Sequence, residues 1–276
     1  TVLRSGRTVL SAGMPDTDER AVLASLLGEA PARPPLDASP GMPSPPPEPG
    51  QAVLVLHDIT VIDESGVQRL APVSLSVRAG EIVGVAGVDG GGQRELLRVL
   101  AGRQAPSAGS VHLPDSIGFV PEDRLRDAII PGLSLVDNLA LRGAGTRHGI
   151  LRWPDLSAAT RASIRDFDVL IADEQSTISS LSGGNQQKFV LARELAGNPR
   201  ALVAENPTRG LDVRASRDIL GRLRAIRAAG TAVVVYSSDI EELLSIADRI
   251  VVCFAGVIRE TSLDADVIGR AMVGAS

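Results

Sequence analysis

Residues 181–199 read LSGGNQQKFVLARELAGNP. One serine and two glycines stand immediately before a long run with helical apolar spacing. At such a junction the first backbone N–H groups of the helix have no intrahelical acceptor, and the helix dipole adds positive potential. Ser182 brings a hydroxyl, and Gly183 and Gly184 bring no side chain, so a phosphate can approach closely. An ordinary Ser-Gly-Gly turn capping a helix would account for those three residues alone. It does not account for the whole of LSGGNQQK followed by ENPTRGLD at 205–212.

A second glycine-rich junction lies upstream. EIVGVAG (81–87) is strand-like, VDGGG (88–92) is a turn, and RELLRVLAG (94–102) is helix-like. Strand, glycine turn and helix start form the layout of a phosphate-binding loop. The usual ending is Gly-Lys-Ser/Thr, but here Gly92 is followed by Gln93 and Arg94.

The remaining pattern alternates. VLVLHDITV (53–61) and VSLSVR (73–78) read as antiparallel strands. IGFVP, ALVAEN, TAVVVYSS and RIVVCFAG read as buried strands rich in Val and Ile. Helical runs separate them: 186–197, 214–230 and 240–248. Alternation of this kind predicts an α/β fold on a mainly parallel sheet. Residues 128–180 carry fewer strand signals and read as a helical subdomain.

Composition narrows the function. The chain has 276 residues, 44% of them hydrophobic, enough for one large core. A net charge of −5 and 2% aromatics argue against nucleic acid as a partner. Cys253 is the single cysteine, which excludes an internal disulfide and a cysteine-built zinc site; its run, IVVCFAG, predicts a buried structural thiol. No apolar run approaches the roughly 20 residues of a membrane span, and no signal peptide is visible. Lys188 is the sole lysine, and the three histidines are His57, His112 and His148. Trp153 is expected to anchor the helical subdomain, and Tyr236 to pack near the end of a core strand.

Half of the 18 prolines fall in residues 31–50, which reads as a semi-rigid linker. Before it, VLRSGRTV and RAVLASLLGE resemble VCFAGVIR and DVIGRAMVG near the other end. Each pair has strands about a glycine (Gly6, Gly256) and a short helix ending in glycine (Gly28, Gly274). We expect residues 1–30 to be the last piece of a preceding, similar domain, 31–50 a linker and 51–276 the main domain. The initial Thr1 fits a piece of a longer polypeptide.

These motifs resemble those of ATP-binding-cassette (ABC) ATPases, in the family's order and over essentially all of 51–276. GVDGGGQRE holds the Walker A position, VPEDRLRDA the Q-loop region, LSGGNQQK the signature, ALVAENPTRGLD the Walker B and D-loop, and VVVYSSDIEE the switch region. The resemblance implies an ABC-type nucleotide-binding domain: a P-loop-like parallel sheet core with an antiparallel β edge and a helical subdomain. It implies ATP and Mg2+ as cofactors. It also implies sites formed head to tail, Walker A of one cassette facing the signature of another. The nucleotide-binding positions are then Gly87, Gly90, Gly91, Gly92, Gln93, Arg94 and Glu122. Those offered to a partner site are Leu181, Ser182, Gly183, Gly184 and Gln186, with Asp212 in the D-loop.

Five chemical positions depart from the family. Gln93 replaces the phosphate-binding lysine, and Arg94 the magnesium-binding hydroxyl. Glu205 replaces the magnesium-linked aspartate, and Asn206 the glutamate that polarises water. Ser238 replaces the switch histidine. In addition Glu122 replaces the Q-loop glutamine. An amide cannot accept the proton. Losing a charge clamp or a base typically costs about 10²–10⁴ in rate each, though not additively. The expectation is an enzyme only as part of a tandem: this half hydrolyses little or no ATP, has no confident metal ligand, and completes the partner's site, where Mg2+ mainly acts. The readings kept beside it are a regulatory pseudo-ATPase and, lower, a soluble DNA-repair-type ABC ATPase.

GVDGGGQ, VPEDR and PTRGLD together resemble second halves of tandem importers of simple sugars and nucleosides; AENPTRG leans to the nucleoside branch. The implied partners are the preceding cassette or a second copy, two transmembrane permease subunits and, indirectly, a substrate-binding lipoprotein. The implied location is the cytoplasmic face of the plasma membrane.

Overall fold

The computed structural model of the protein describes residues 2–4, 7–10, 50–145 and 148–275. The chain divides into two compact units, Thr1–Ser44 and Pro45–Ser276. In the first, strands β1 (Val2–Arg4) and β2 (Arg7–Leu10) pair antiparallel. The proline-rich segment and the expected helix before it lie outside the described residues.

The second unit opens with β3 (Ala52–Ile62) and β4 (Gln68–Arg78), which pair antiparallel as expected. Then come β5 (Ile82–Gly87), α1 (Gln93–Leu100), β6 (Ala108–His112), β7 (Ile117–Val120), α2 (Arg124–Asp127), α3 (Leu135–Ala140) and α4 (Trp153–Asp166). A short 3-10 turn, Ile178–Ser180, precedes α5 (Gly183–Leu195). The rest is β8 (Ala201–Glu205), α6 (Val213–Ala228), β9 (Ala232–Tyr236), α7 (Ile240–Ile246), β10 (Arg249–Phe254), β11 (Val257–Thr261) and α8 (Ala265–Met272).

A six-stranded sheet in the order β11-β10-β5-β9-β8-β7 forms the centre; only the β10–β11 pair is antiparallel. The antiparallel strands form a separate three-stranded sheet, β4-β3-β6, rather than an edge of the main one. Strand β6 was not legible: AGSVH is exposed along its length, and Ala, Gly and Ser carry little strand preference.

Alternate residues of the central strands feed two cores, as a period of two requires. Val83, Val85, Val234 and Val251 pack against α1 and the three-stranded sheet. Ile82, Ala86, Val233, Val235 and Val252 face the opposite core, with residues of α3 and α5–α8. Cys253 joins the first core with no exposed surface, and burial pushes its thiol up to about 12. The thiolate is the reactive form. We therefore expect Ellman's reagent at pH 8 to leave the native thiol unmodified and to titrate one thiol on denaturation. Fast native labelling would contradict this core placement.

Trp153 begins α4 and is 48% exposed, so it does not anchor the subdomain from within. Tyr236 ends β9, 5% exposed, as its position in the sequence implied. Among the described residues no helix is long and apolar enough to cross a membrane.

Candidate functional site

Parallel strands bring their carboxyl ends to one edge, where loops gather. There Gly87 ends β5, Tyr236 ends β9 and Glu205 ends β8; Glu205 and Tyr236 are register partners. The turn from β5 runs over Asp89 to Gly92. Gly90 and Gly92 take positive φ, 82° and 101°. Gly91 lies so close to the β10–β11 turn that a Cβ would stand 2.7 Å from the Cys253 carbonyl oxygen. A backbone bond from Gly256 to the Gly91 carbonyl, 3.0 Å, fastens the turn there. Gly92 caps α1 without a side chain. Leu96 donates to the Gly92 carbonyl, while the N–H groups of Gln93, Arg94 and Glu95 have no acceptor among the described residues. Three free donors at a helix start make a cradle for a polyphosphate.

A cavity of about 680 Å³ opens beside this cradle. Gly90, Gln93, Arg94, Glu122 and Glu205 line it, so the structure brings these predicted residues together. Arg98, Arg209 and Tyr236 line it too, and sequence reasoning did not assign them to the site. The signal for Arg98 was its position four residues after Arg94, on the same helix face.

Glu205 is 6% exposed. Its Oε2 accepts from the Glu122 N–H at 3.3 Å. Burial pushes its carboxyl up, against the field of the Arg98 and Arg94 guanidiniums; Asp127 adds to the rise. Asn206 is also buried and holds a positive φ of 40°, which Asn tolerates better than most residues. Its Oδ1 accepts from the Ser238 N–H at 2.9 Å, and its own N–H donates to the Tyr236 carbonyl at 2.8 Å. Asn206 and Ser238, which the sequence resemblance aligned with a general base and a switch histidine, are thus bonded to each other. Glu122 pairs with Arg209 across the cavity mouth.

Residues 181–186 form a second surface. Ser182 is exposed and caps α5; its Oγ accepts from the Asn185 backbone at 3.4 Å and side chain at 3.0 Å. The N–H groups of Gly183 and Gly184 have no acceptor among the described residues. A Cβ on Gly183 would sit 2.8 Å from the Arg124 guanidinium. Leu181 and Gln186 instead turn inward: both are buried, and Gln186 Nε2 donates to the Ile178 and Leu181 carbonyls at 3.3 and 3.2 Å. Its Oε1 accepts from Arg124 at 3.1 Å. Asp212 caps α6 through the Ala215 N–H, 2.8 Å.

A nucleotide-sized cradle and a second helix terminus behind a Ser-Gly-Gly cap define an ATP-binding cassette. The ABC transporter family model matches residues 70–209, and the chain belongs to that family. It is 37% identical over 249 residues to the nucleoside import ATP-binding protein NupA of Lactococcus lactis, covering 82% of this chain and 49% of that protein. It is 34% identical over 275 residues to the guanosine import ATP-binding protein NupO of Bacillus subtilis, covering 93% and 52%. The xylose import ATP-binding protein XylG of Burkholderia ambifaria is 33% identical over 296 aligned positions, covering 100% and 56%. The chain therefore spans about half the length of the curated relatives it matches. A solved dimeric ATP-binding cassette, in a post-hydrolysis state with ADP and phosphate, superposes with a TM-score of 0.67 at 25% identity, covering 77% of this chain and 100% of that one.

Proposed function

We propose that this chain is the signature-donating half of a tandem ATPase that powers import of nucleosides or simple sugars. The observation that carries the reading is the contrast between the two surfaces. On one, the Asn206 amide oxygen is taken by the Ser238 N–H, and Gln93 and Arg94 stand where a lysine and a hydroxyl would act. On the other, Ser182, Gly183 and Gly184 present an exposed hydroxyl and two N–H groups with no acceptor among the described residues, at a helix start.

In this reading the partner is a preceding cassette of the same polypeptide, of which residues 1–30 are the end and 31–50 the link. The half-length match to the relatives, and the antiparallel strand pairs β1–β2 and β10–β11, support it. ATP provides the phosphoanhydride that is cleaved. This chain's own part is to orient and stabilise: the Ser182 hydroxyl and the Gly183 and Gly184 N–H groups meet developing charge on the partner's terminal phosphate. Residues 128–180 form the helical subdomain that passes closure to two membrane permease subunits. That places the complex at the cytoplasmic face of the membrane, with a substrate-binding lipoprotein acting through the permeases. The nucleoside import names among the relatives favour that branch.

The test is ATP turnover by the 276-residue chain alone, against the tandem polypeptide. We expect the chain alone to fall at least about a hundredfold below the tandem, since a base and a charge clamp are both missing. Robust turnover by the chain alone would overturn the reading.

A further inference from the structure

Among the described residues, three buried side-chain atoms have no hydrogen-bond partner: Gln93 Oε1, Glu205 Oε1 and Arg98 Nε. All three residues line the cavity beside the glycine turn. Gln93 and Glu205 are more than nine-tenths buried, 5% and 6% exposed. Unpaired buried polar atoms are costly, so a cluster of them within residues that line one cavity points to a ligand that satisfies them. Together with the three free N–H groups at the start of α1, they identify the cavity as a binding site with its own unmet demand.

The magnesium ion that accompanies nucleotides in this family does not fit these residues. Mg2+ takes oxygen ligands in near-octahedral geometry. Among the described residues no serine or threonine lines the cavity. Among the described residues no group of three His, Cys, Asp or Glu stands ready to hold a metal. The position of the usual hydroxyl carries Arg94, a permanent cation. Arg98 lies on the same side of α1, and both guanidiniums act on the one carboxylate at the strand end, Glu205. A dication there would find one carboxylate beside two guanidiniums; of the other acids in the lining, Glu122, Asp123 and Asp127 are already bonded, and Asp89 is exposed on the turn.

The other arginines of the cavity are engaged. Arg209 pairs with Glu122, Arg124 with Gln186, and Arg98 and Arg126 with Asp127 at 3.4 and 3.9 Å. Arg94 makes no hydrogen bond or ion pair among the described residues and is exposed to the cavity. We propose that this cavity binds the polyphosphate of a nucleotide in its metal-free form, with the Arg94 guanidinium in the place of the metal. Free ATP presents more negative charge than its magnesium complex, and guanidinium matches phosphate oxygens in a two-point fork. This deepens the reading of the loop as a phosphate cradle; the role of the signature surface does not depend on it.

The test is an equilibrium titration of the 276-residue chain with a fluorescent N-methylanthraniloyl ATP, in excess EDTA and in excess Mg2+ at equal ionic strength. Binding is expected to be at least about threefold tighter in EDTA, from the larger ligand charge. Inorganic tripolyphosphate in EDTA should displace the analogue. Arg94→Ala should weaken binding in EDTA by about tenfold or more, the usual weight of a charged hydrogen-bond pair. Arg94→Ser should shift the preference toward Mg2+. Arg94 is exposed, so both variants should keep the parent's circular dichroism. Binding only with Mg2+, no binding in either medium, no displacement by tripolyphosphate, or Arg94→Ala binding as the parent does would each overturn the proposal. Turnover of the tandem polypeptide is read separately, so failure here is distinguishable from failure of the signature role.

Discussion

Ser182→Arg in the tandem polypeptide we propose is expected to reduce ATP turnover by at least about a hundredfold, the scale of losing preorganised donors at a developing charge. The substitution acts on a surface, not on the core. Ser182 is exposed and caps α5, so the fold loses one cap, worth about 1 kcal/mol. A long cationic side chain in its place blocks the approach to the Gly183 and Gly184 N–H groups. Ser182→Ala is the control: it removes the hydroxyl but keeps the approach open, and should lose far less. If this chain only regulated its partner, Ser182→Arg would leave turnover near the parent's. Thermal unfolding of both variants shows whether any loss is structural.

The second large effect is on stability, and three adjacent glycines separate its causes. Gly90 has a φ of 82° and open space where a Cβ would go. Gly91 has no positive φ, but its Cβ would meet the Cys253 carbonyl oxygen at 2.7 Å. Gly92 carries both burdens: φ of 101° and a Cβ 2.8 Å from the Arg69 carbonyl oxygen. Gly90→Ala should cost only the left-handed strain, about 1 kcal/mol. Gly92→Ala should cost about 2–4 kcal/mol, strain plus displaced backbone, against a typical domain stability of about 5–15 kcal/mol. At this size each kcal/mol moves the melting temperature by roughly 2–4 °C, so the two variants should be well resolved in a thermal melt. Equal melting temperatures would mean the turn is not seated on β4 and the β10–β11 hairpin as described.

Much of this arrangement could be read in the sequence because its causes are local. The Val- and Ile-rich runs are buried on both faces, so their composition alone marks central parallel strands. Glycine turns before helices need φ values that other residues avoid, so they too leave a trace. Strand β6 left none, since its exposed small residues are held by pairing with β3, a long-range cause. The cavity was half legible. Gln93, Arg94, Glu122 and Glu205 came from motif positions. Arg98 left a hint in its spacing from Arg94, but it and Arg209 joined the site only with the packing that brings α1 and the segment after β8 to one edge. Gln186 shows the opposite case: its motif position implied an outward role, but three hydrogen bonds turn it inward. Trp153 was expected to anchor the helical subdomain, yet it stands at the first turn of α4, where half its surface stays wet.

Lys188 lies within α5, its ammonium held by Asp218 at 2.9 Å and its side chain only 15% exposed. It is the single lysine of the sequence. A lysine-directed protease therefore has one peptide bond to cut, between Lys188 and Phe189, and Phe189 is wholly buried. Cleavage must wait until the helix behind the Ser-Gly-Gly cap opens. The chain thus carries a built-in clock for that one helix, read as the disappearance of a single band into two.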